Sequence, residues 1–318
     1  MTATTDLPAQ NAEHTGAPEL VPLDSLTAEH TGRWTFLIVE GAAFMMQAMH
    51  PVIAEVTGRY SAGFRGDAGG RAIRSVDSVL RWTYGGTAAL AEGDRVRALH
   101  KPLTMTSELT GKRISALNTE AYQWVIATGY LVNAQGGGRL LIGRDFTDSE
   151  KTELLRDNRR LAELLHVPMR GYPQTLAEMT EYYENMIDTL QGTPQALQLI
   201  ADLKAGKLEL STSMPKALEP LLRTALRPAL RLNYLSIVGL LDPRLRAKLG
   251  VSWSRQEQIQ LQVIYAAIRA AYRVLPDRLT YFPLAYHARK HHECLKKMEE
   301  RQKKSFAYNL PDTPRTHV

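Results

Sequence analysis

Residues 147–165 read TDSEKTELLRDNRRLAELL, and this stretch decides the fold class. Thr147 and Glu150 have the spacing of a capping box, in which the two side chains satisfy amide groups at the start of a helix. The leucines that follow are spaced mostly by three and four residues, so they share one helical face. The stretch therefore predicts an amphipathic helix.

The same signature recurs twice, at Thr175–Glu178 and at Ser254–Glu257, each time before apolar residues at helical spacing. Apolar periodicity predicts further helices around residues 33–49, 69–83, 87–102, 119–134, 193–205, 215–226 and 230–240. Strand signals are poor, and the short run at 139–142 is either a piece of a hairpin or a loop. We therefore expect an all-α protein with a single globular helical domain.

The predicted domain covers residues 23–304 of the 318 residues. Residues 1–22 are polar, rich in Pro, Ala and Thr, and without periodicity, which indicates a flexible N-terminal leader. Residues 305–318 are expected to form a flexible C-terminal tail.

The composition indicates where the protein is located and which classes of partner it does not favour. Cys294 is the one cysteine, so no disulfide forms within the chain and a reducing, cytoplasmic location is expected. The N-terminus lacks the basic start and apolar core of a secretory signal, and no uninterrupted apolar run reaches 18 residues, so no transmembrane segment is expected. The net charge of +6 comes from scattered basic residues accompanied by acids, which does not favour a nucleic-acid partner.

Two of the nine histidines are candidate ligands. His50 ends an apolar helix before Pro51, and His100 falls on the buried side of a predicted helix together with Val96 and Leu99. A lone buried histidine is more often a hydrogen-bonded core residue than a ligand, and spacing alone leaves both interpretations open for both residues.

A third feature is the run Arg71-Ala-Ile-Arg74-Ser75. On a helix, Arg71, Arg74 and Ser75 share one face, which suits an anion such as a propionate or phosphate, or a polar oxygen ligand. The alternative is an exposed basic stripe. No Cys-x-x-Cys-His motif is present, which excludes covalent c-type haem attachment.

In their order, several segments resemble a family of haem oxygenases that includes the latex-clearing rubber oxygenases and the oxygenase of mycophenolic acid biosynthesis. The resemblance covers most of residues 33–290. It is carried by MQAMHP (46–51), YS (60–61), FRGD (64–67), RAIRS (71–75), VRALH (96–100), QWVIAT (123–128), LLDPRLR (240–246), VSWS (251–254) and LPDRLTY (275–281).

The resemblance implies an all-α, globin-like arrangement around haem b, with its iron held on the proximal side by His100. Arg71 and Ser75 then match residues beside the haem, and Arg74 matches a position where rubber oxygenases carry a lysine able to approach the iron. Since arginine has no lone pair to give, the opposite face of the haem is expected to be open or water-filled. Glu55 falls near the spacing of a glutamate proposed as a base in rubber oxygenases.

His50 and Trp124 are further cofactor-binding candidates. We expect an apolar pocket lined by Met45, Met46, Met49, Trp82 and Trp124, which would suit both the macrocycle and a hydrophobic substrate.

Three hypotheses follow. The first is a haem-dependent oxygenase or oxidase that uses O₂ or peroxide on a small hydrophobic metabolite, with biosynthesis of a secondary metabolite as one role. The second is a non-catalytic helical binding module in which His100 is a packed core residue. The third is a peripheral membrane-surface protein that uses its basic C-terminal helix, Arg289 to Lys304.

Overall fold

A computed structural model describes residues 18–60, 68–206 and 219–307, with side chains except in 68–72, 219–224 and 304–307. The helices are α1 (Leu26–Thr31), α2 (Phe36–Ala48), α3 (Pro51–Tyr60), α4 (Ala68–Tyr84), α5 (Ala88–His100), α6 (Thr119–Val132), α7 (Gly138–Leu141), α8 (Asp148–Leu164), α9 (Leu176–Thr189), α10 (Pro194–Lys204), α11 (Glu219–Leu240), α12 (Pro243–Lys248), α13 (Arg255–Val274), α14 (Asp277–Thr280) and α15 (Pro283–Ala307). One π-helical turn, Asn133–Gly137, joins α6 to α7. The all-α prediction is confirmed.

The helix starts follow the predicted capping chemistry at two of three places. The capping boxes of α8 and α13 have both of their reciprocal hydrogen bonds. At α9, Thr175 accepts from the amide of Glu178, but the carboxylate of Glu178 accepts from the amide of Gln174 instead of that of Thr175. The third box is therefore half formed.

Three predictions of secondary structure are corrected. The helices predicted at 215–226 and 230–240 are one helix, α11, which continues through Pro228. Proline removes one backbone hydrogen bond, and Pro228 is exposed, so water can satisfy the carbonyl that loses its partner. Residues 139–142 lie in and directly after α7, neither in a hairpin nor in an extended loop.

The strands in the described part of the chain lie elsewhere. β1 (Thr104–Thr106) pairs antiparallel with β2 (Arg113–Ser115), with Met105 opposite Ile114. This small hairpin separates α5 from α6, and it was not predicted because each strand is only three residues long.

The main hydrophobic core forms around α2, which packs against α6 on one side and α11 on the other. Close approach depends on glycines: a Cβ atom at Gly41 would lie 2.7 Å from Ile237 Cδ1, and one at Gly136 would lie 2.9 Å from Val39 Cγ1. Val21, which precedes α1, is buried in a second core beside α1, α4 and α15.

Within the described residues, no single helix has both the length and the apolar character needed to cross a membrane. The consecutive helices α2 and α3 meet that criterion only when taken together across a bend of 100°.

Candidate functional site

A cavity of about 820 Å³ lies between α2, α4, α5, α6 and α8. This volume is in the range of small-molecule and cofactor sites. Helix α2 contributes one stripe of side chains to its wall, at spacings of four, four and three residues: Phe36, Glu40, Phe44 and Gln47. Helix α6 contributes a second stripe alongside it, from Ala121 to Asn133, the residue that directly follows the helix.

The contacts between α2 and α6 fix the two ends of this cavity. Trp124 Nε1 donates to the carbonyl of Met46 at 3.2 Å, whereas Gly136 contacts Val39, so the two helices run antiparallel. Glu40 therefore lies at the level of Asn133. From Tyr122 to Asn133 is eleven residues, or about 16 Å at 1.5 Å per residue.

His100 lies at the Tyr122 end of the cavity. Its ring centroid is 6.5 Å from that of Tyr122, and the histidine is half-buried in the wall. His100 Nδ1 lies 2.7 Å from the carbonyl oxygen of Val96, one turn earlier on α5. Because a carbonyl can only accept, Nδ1 carries the proton of this bond. In the neutral imidazole, the lone pair is then on Nε2, the nitrogen available to a metal.

Arg74 and Ser75 lie in the same cavity wall, on α4. Arg74 is exposed and Ser75 is half-buried. The position of Arg71 is in the first turns of α4, but its side chain lies outside the described residues. The structure thus brings His100, Arg74 and Ser75 to one cavity, as their order in the sequence indicated.

His50 lies elsewhere. It is 1% exposed, is not among the described residues that line the cavity, and its Nε2 lies 3.3 Å from Glu120 Oε1. Burial lowers the pKa of His50, and the carboxylate of Glu120 partly opposes this. These contacts make His50 a packed core histidine at the junction of α2 and α3, not a residue of the cavity wall.

Glu55 also lies away from the cavity wall. Its Oε1 accepts from Ser107 Oγ at 2.8 Å, and its Oε2 accepts from the amide of Glu108 at 2.7 Å. Both oxygens therefore hold the turn of the β1–β2 hairpin against α3. The expected role as a base near the iron is not supported by this position, because the carboxylate is occupied and does not face the cavity.

The expected apolar pocket is corrected in the same way. Trp82 lines the cavity, but Trp124 and the three methionines Met45, Met46 and Met49 are buried in the main core. Trp124 is fully buried and stacks near Tyr183, with ring centroids 6.3 Å apart. The cavity is lined instead by valines, leucines and isoleucines of α3, α5, α6 and α8.

Sequence reasoning missed a charged cluster in the wall between α4 and α5. Ser78 Oγ donates to Glu92 Oε1 at 2.7 Å, and Arg95 Nε donates to Glu92 Oε2 at 2.7 Å, while Arg81 lies 3.8 Å from the same carboxylate. The hydrogen bonds from Arg95 lower the pKa of Glu92 to about 2, against the effect of burial. In the sequence, Arg81, Glu92 and Arg95 look like separate surface charges, because only the pairing of α4 with α5 brings them together.

Glu40 is the second residue that was missed. It is half-buried in the cavity wall, and burial raises the pKa of its carboxyl group to about 8. Its spacing from Phe36 and Phe44 was the available signal, since an acid in the middle of an apolar helical stripe has to face something other than bulk water.

A sequence model of the family described as "ER-bound oxygenase mpaB/B'/Rubber oxygenase, catalytic domain" matches residues 28–270. Neither a curated protein nor a solved structure matches the chain significantly. The match includes α2, α4, α5, α6 and α8, the helices that enclose the cavity, together with His100, Arg74 and Ser75. The chain therefore belongs to the mpaB and rubber oxygenase catalytic-domain family.

Proposed function

We propose that this protein is a haem b-dependent oxygenase or oxidase, in which His100 would hold the iron and a small hydrophobic molecule is the substrate. The observation that carries the proposal is the hydrogen bond between His100 Nδ1 and the carbonyl of Val96, which leaves Nε2 as the ligating nitrogen in a large cavity. Membership of an oxygenase family supports the class of reaction.

The residues of the cavity fit a haem. An imidazole whose second nitrogen is hydrogen-bonded to a carbonyl has a fixed tautomer and a more basic ligating nitrogen. Arg74 offers a permanent positive charge at the same end, which suits a propionate. Leu99 and Leu103 offer apolar surface beside His100 for the macrocycle.

When bound, a histidine-ligated haem supplies redox chemistry with O₂ or peroxide, and the surrounding protein decides its outcome. The chain's own part is to hold His100 in one tautomer through Val96. Arg74 cannot ligate iron, because a guanidinium has no lone pair to donate. The apolar residues of α3 and α6 bind the hydrophobic substrate and keep water from the reacting end.

A haemin titration of the purified protein tests the proposal, with the Soret band as the readout. Wild-type protein should give a Soret band, and His100→Ala should lose it or weaken haemin binding greatly. His50→Ala is the matched control, because His50 lies outside the cavity wall, and it should bind haemin as the wild type does. Added imidazole should restore the band to His100→Gly.

Two results would contradict the proposal. A wild-type protein that stays colourless after expression with ample haem precursor and gives no Soret band would leave a non-catalytic helical binding module as the better interpretation. Loss of haemin binding in His50→Ala but not in His100→Ala would move the ligand to His50.

A further inference from the structure

The end of the cavity far from His100 contains a carboxyl group that has no charged partner among the residues that the structure describes. Glu40 lies on α2 between Phe36 and Phe44, and Thr27 and Thr31 of α1 line the cavity beside it. Glu40 Oε2 is shielded from solvent and forms no hydrogen bond within the described part of the chain.

The electrostatics of this end favour a protonated acid. Burial is the cause that raises the pKa of Glu40 to about 8, and no cation among the described residues offsets it. His30 of α1, a buried histidine that lies against Gly137 just beyond α6, is itself held neutral, since burial lowers its pKa to about 4. A protonated carboxyl differs from a carboxylate in that it donates a hydrogen bond as well as accepting one.

Other polar atoms at the cavity wall also have no hydrogen-bond partner in the described part of the chain. Thr27 Oγ1 and Trp82 Nε1 form no hydrogen bond with any described residue, although both are buried. Buried polar atoms are nearly always satisfied by protein, water or a ligand, so unsatisfied groups around one cavity indicate an occupant.

We propose that Glu40 is a ligand-binding residue: it hydrogen-bonds an uncharged oxygen group, a hydroxyl or a carbonyl, at the end of an elongated apolar ligand. The stripe on α2 continues from Glu40 through Phe44, so the apolar part of that ligand lies along α2 and α6 towards His100. A carboxylate would not be accepted at the Glu40 end, because it would be desolvated there with no cation among the described residues to pair with it.

This inference deepens the proposed function and rests on it only for what binds at the His100 end. It defines the substrate class as a neutral amphiphile whose polar group is bound about 16 Å from the level of His100, so that its apolar end reaches the reacting centre. The oxygen group is therefore a recognition element and not the site of reaction.

Binding of two probes of equal chain length, 1-decanol and decanoate, tests the inference by isothermal titration calorimetry. The wild type should bind decanol about tenfold more tightly than decanoate. Glu40→Leu should lose about tenfold in affinity for decanol, as expected for the loss of one hydrogen bond at a buried site. Glu40→Gln, whose amide still donates and accepts, should stay within about threefold of the wild type.

Phe44→Leu is the matched control, since Phe44 is one turn away on the same stripe and carries no polar atom. It should weaken both probes equally and keep the preference for decanol. Infrared difference spectra give a second readout: the carbonyl stretch of a protonated carboxyl should be present in the wild type, shift on binding decanol, and be absent in Glu40→Gln.

The inference is overturned if Glu40→Leu binds decanol as tightly as the wild type, which would mean that Glu40 meets only water. It is also overturned if decanoate binds more tightly than decanol, or if decanol leaves the carboxyl band unshifted. Haemin titration of the same variants keeps the two proposals apart. A missing Soret band in the wild type sinks the haem proposal, whereas the probe affinities still decide the role of Glu40.

Discussion

Replacing Glu40 by glutamine should change how the stability of the protein depends on pH. In the folded protein, burial raises the pKa of Glu40 to about 8, compared with 4.5 for an ordinary glutamate. Between these values the folded state holds a proton that the unfolded state has released. The stability contributed by this group is therefore full below the unfolded pKa and is lost as pH rises towards 8.

The size of the effect follows from proton linkage. One proton of difference corresponds to 1.36 kcal/mol for each pH unit, and the difference is nearly complete between the two pKa values. From about pH 5.5 to about pH 7.5, Glu40 should lower the free energy of unfolding by about 2.5 kcal/mol. The glutamine variant does not titrate, so this loss should be absent from it.

Urea unfolding of the wild type and of Glu40→Gln at several pH values measures the effect. Their difference is the quantity to follow, because other groups titrate in the same range. His30, for example, contributes with the opposite sign, since burial lowers its pKa to about 4 and its stability contribution rises with pH. Contributions of this kind cancel when the free energy of unfolding of the variant is subtracted from that of the wild type. Glu40→Leu should remove the same slope, which separates the carboxyl group from the shape of the side chain.

A difference that changes by less than about 0.5 kcal/mol across this range would refute the reasoning. Glu40 would then be ionised in the folded protein, and it could not donate a hydrogen bond to a ligand. The infrared band expected of a protonated carboxyl would be missing as well.

Five further substitutions, which form three tests, probe other parts of the structure by urea unfolding at neutral pH. Gly93→Ala should destabilise the protein by about 1–3 kcal/mol, because the new Cβ would lie 2.3 Å from the carbonyl oxygen of Leu164. Gly129→Ala is the matched control: nothing lies within 4 Å of a Cβ there, so it should stabilise the helix by about 0.5–1 kcal/mol. Similar effects of the two substitutions would contradict the packing of α5 on α8. Glu92→Gln should cost about 2 kcal/mol by removing buried, charge-assisted hydrogen bonds, and a neutral result would mean that the cluster is hydrated. Thr147→Ala should cost about 1 kcal/mol and Thr147→Ser much less, and equal losses would show that the hydroxyl does not cap α8.

The helical class could be predicted because its causes are local. Capping at Thr147 and Ser254 depends on residues three apart, and leucine spacing depends on one turn of helix. The failures have causes that are not local. Pro228 is tolerated inside α11 because the surrounding surface is exposed, and that exposure is set by tertiary packing. In the π-helical turn, Gly136 is required by a tertiary contact, because Val39 and Leu240 lie where a Cβ atom would be.

The candidate site divides in the same way. The order of short motifs indicated His100, Arg74 and Ser75, and all three line one cavity. Sequence order could not separate them from Glu55, which has a suitable spacing but uses both its oxygens to hold a hairpin. The role of a carboxylate depends on its neighbours in space.

The contacts of α4 show which of its turns lie at each end of the cavity. Ser78 and Arg81 of α4 both contact Glu92 of α5, and Tyr84 at the end of α4 donates to the carbonyl of Ala28 on α1. The first turns of α4 therefore lie at the His100 end of the cavity, and its last turns lie near α1, at the Glu40 end.

The charged side chains of the cavity wall also differ from the His100 end to the Glu40 end. Arg74 lies at the His100 end, Arg95 pairs with Glu92 midway along the cavity, and no cation among the described residues offsets the burial of Glu40 at the opposite end. A carboxylate beside Glu40 would lose its hydration with no cation among the described residues to offset the loss, whereas an uncharged hydroxyl or carbonyl can bind there at little cost of desolvation. A neutral amphiphile should therefore bind more tightly than its acid analogue, with its apolar end towards His100. Selection by charge at the remote end of the cavity would then decide which part of the molecule reacts.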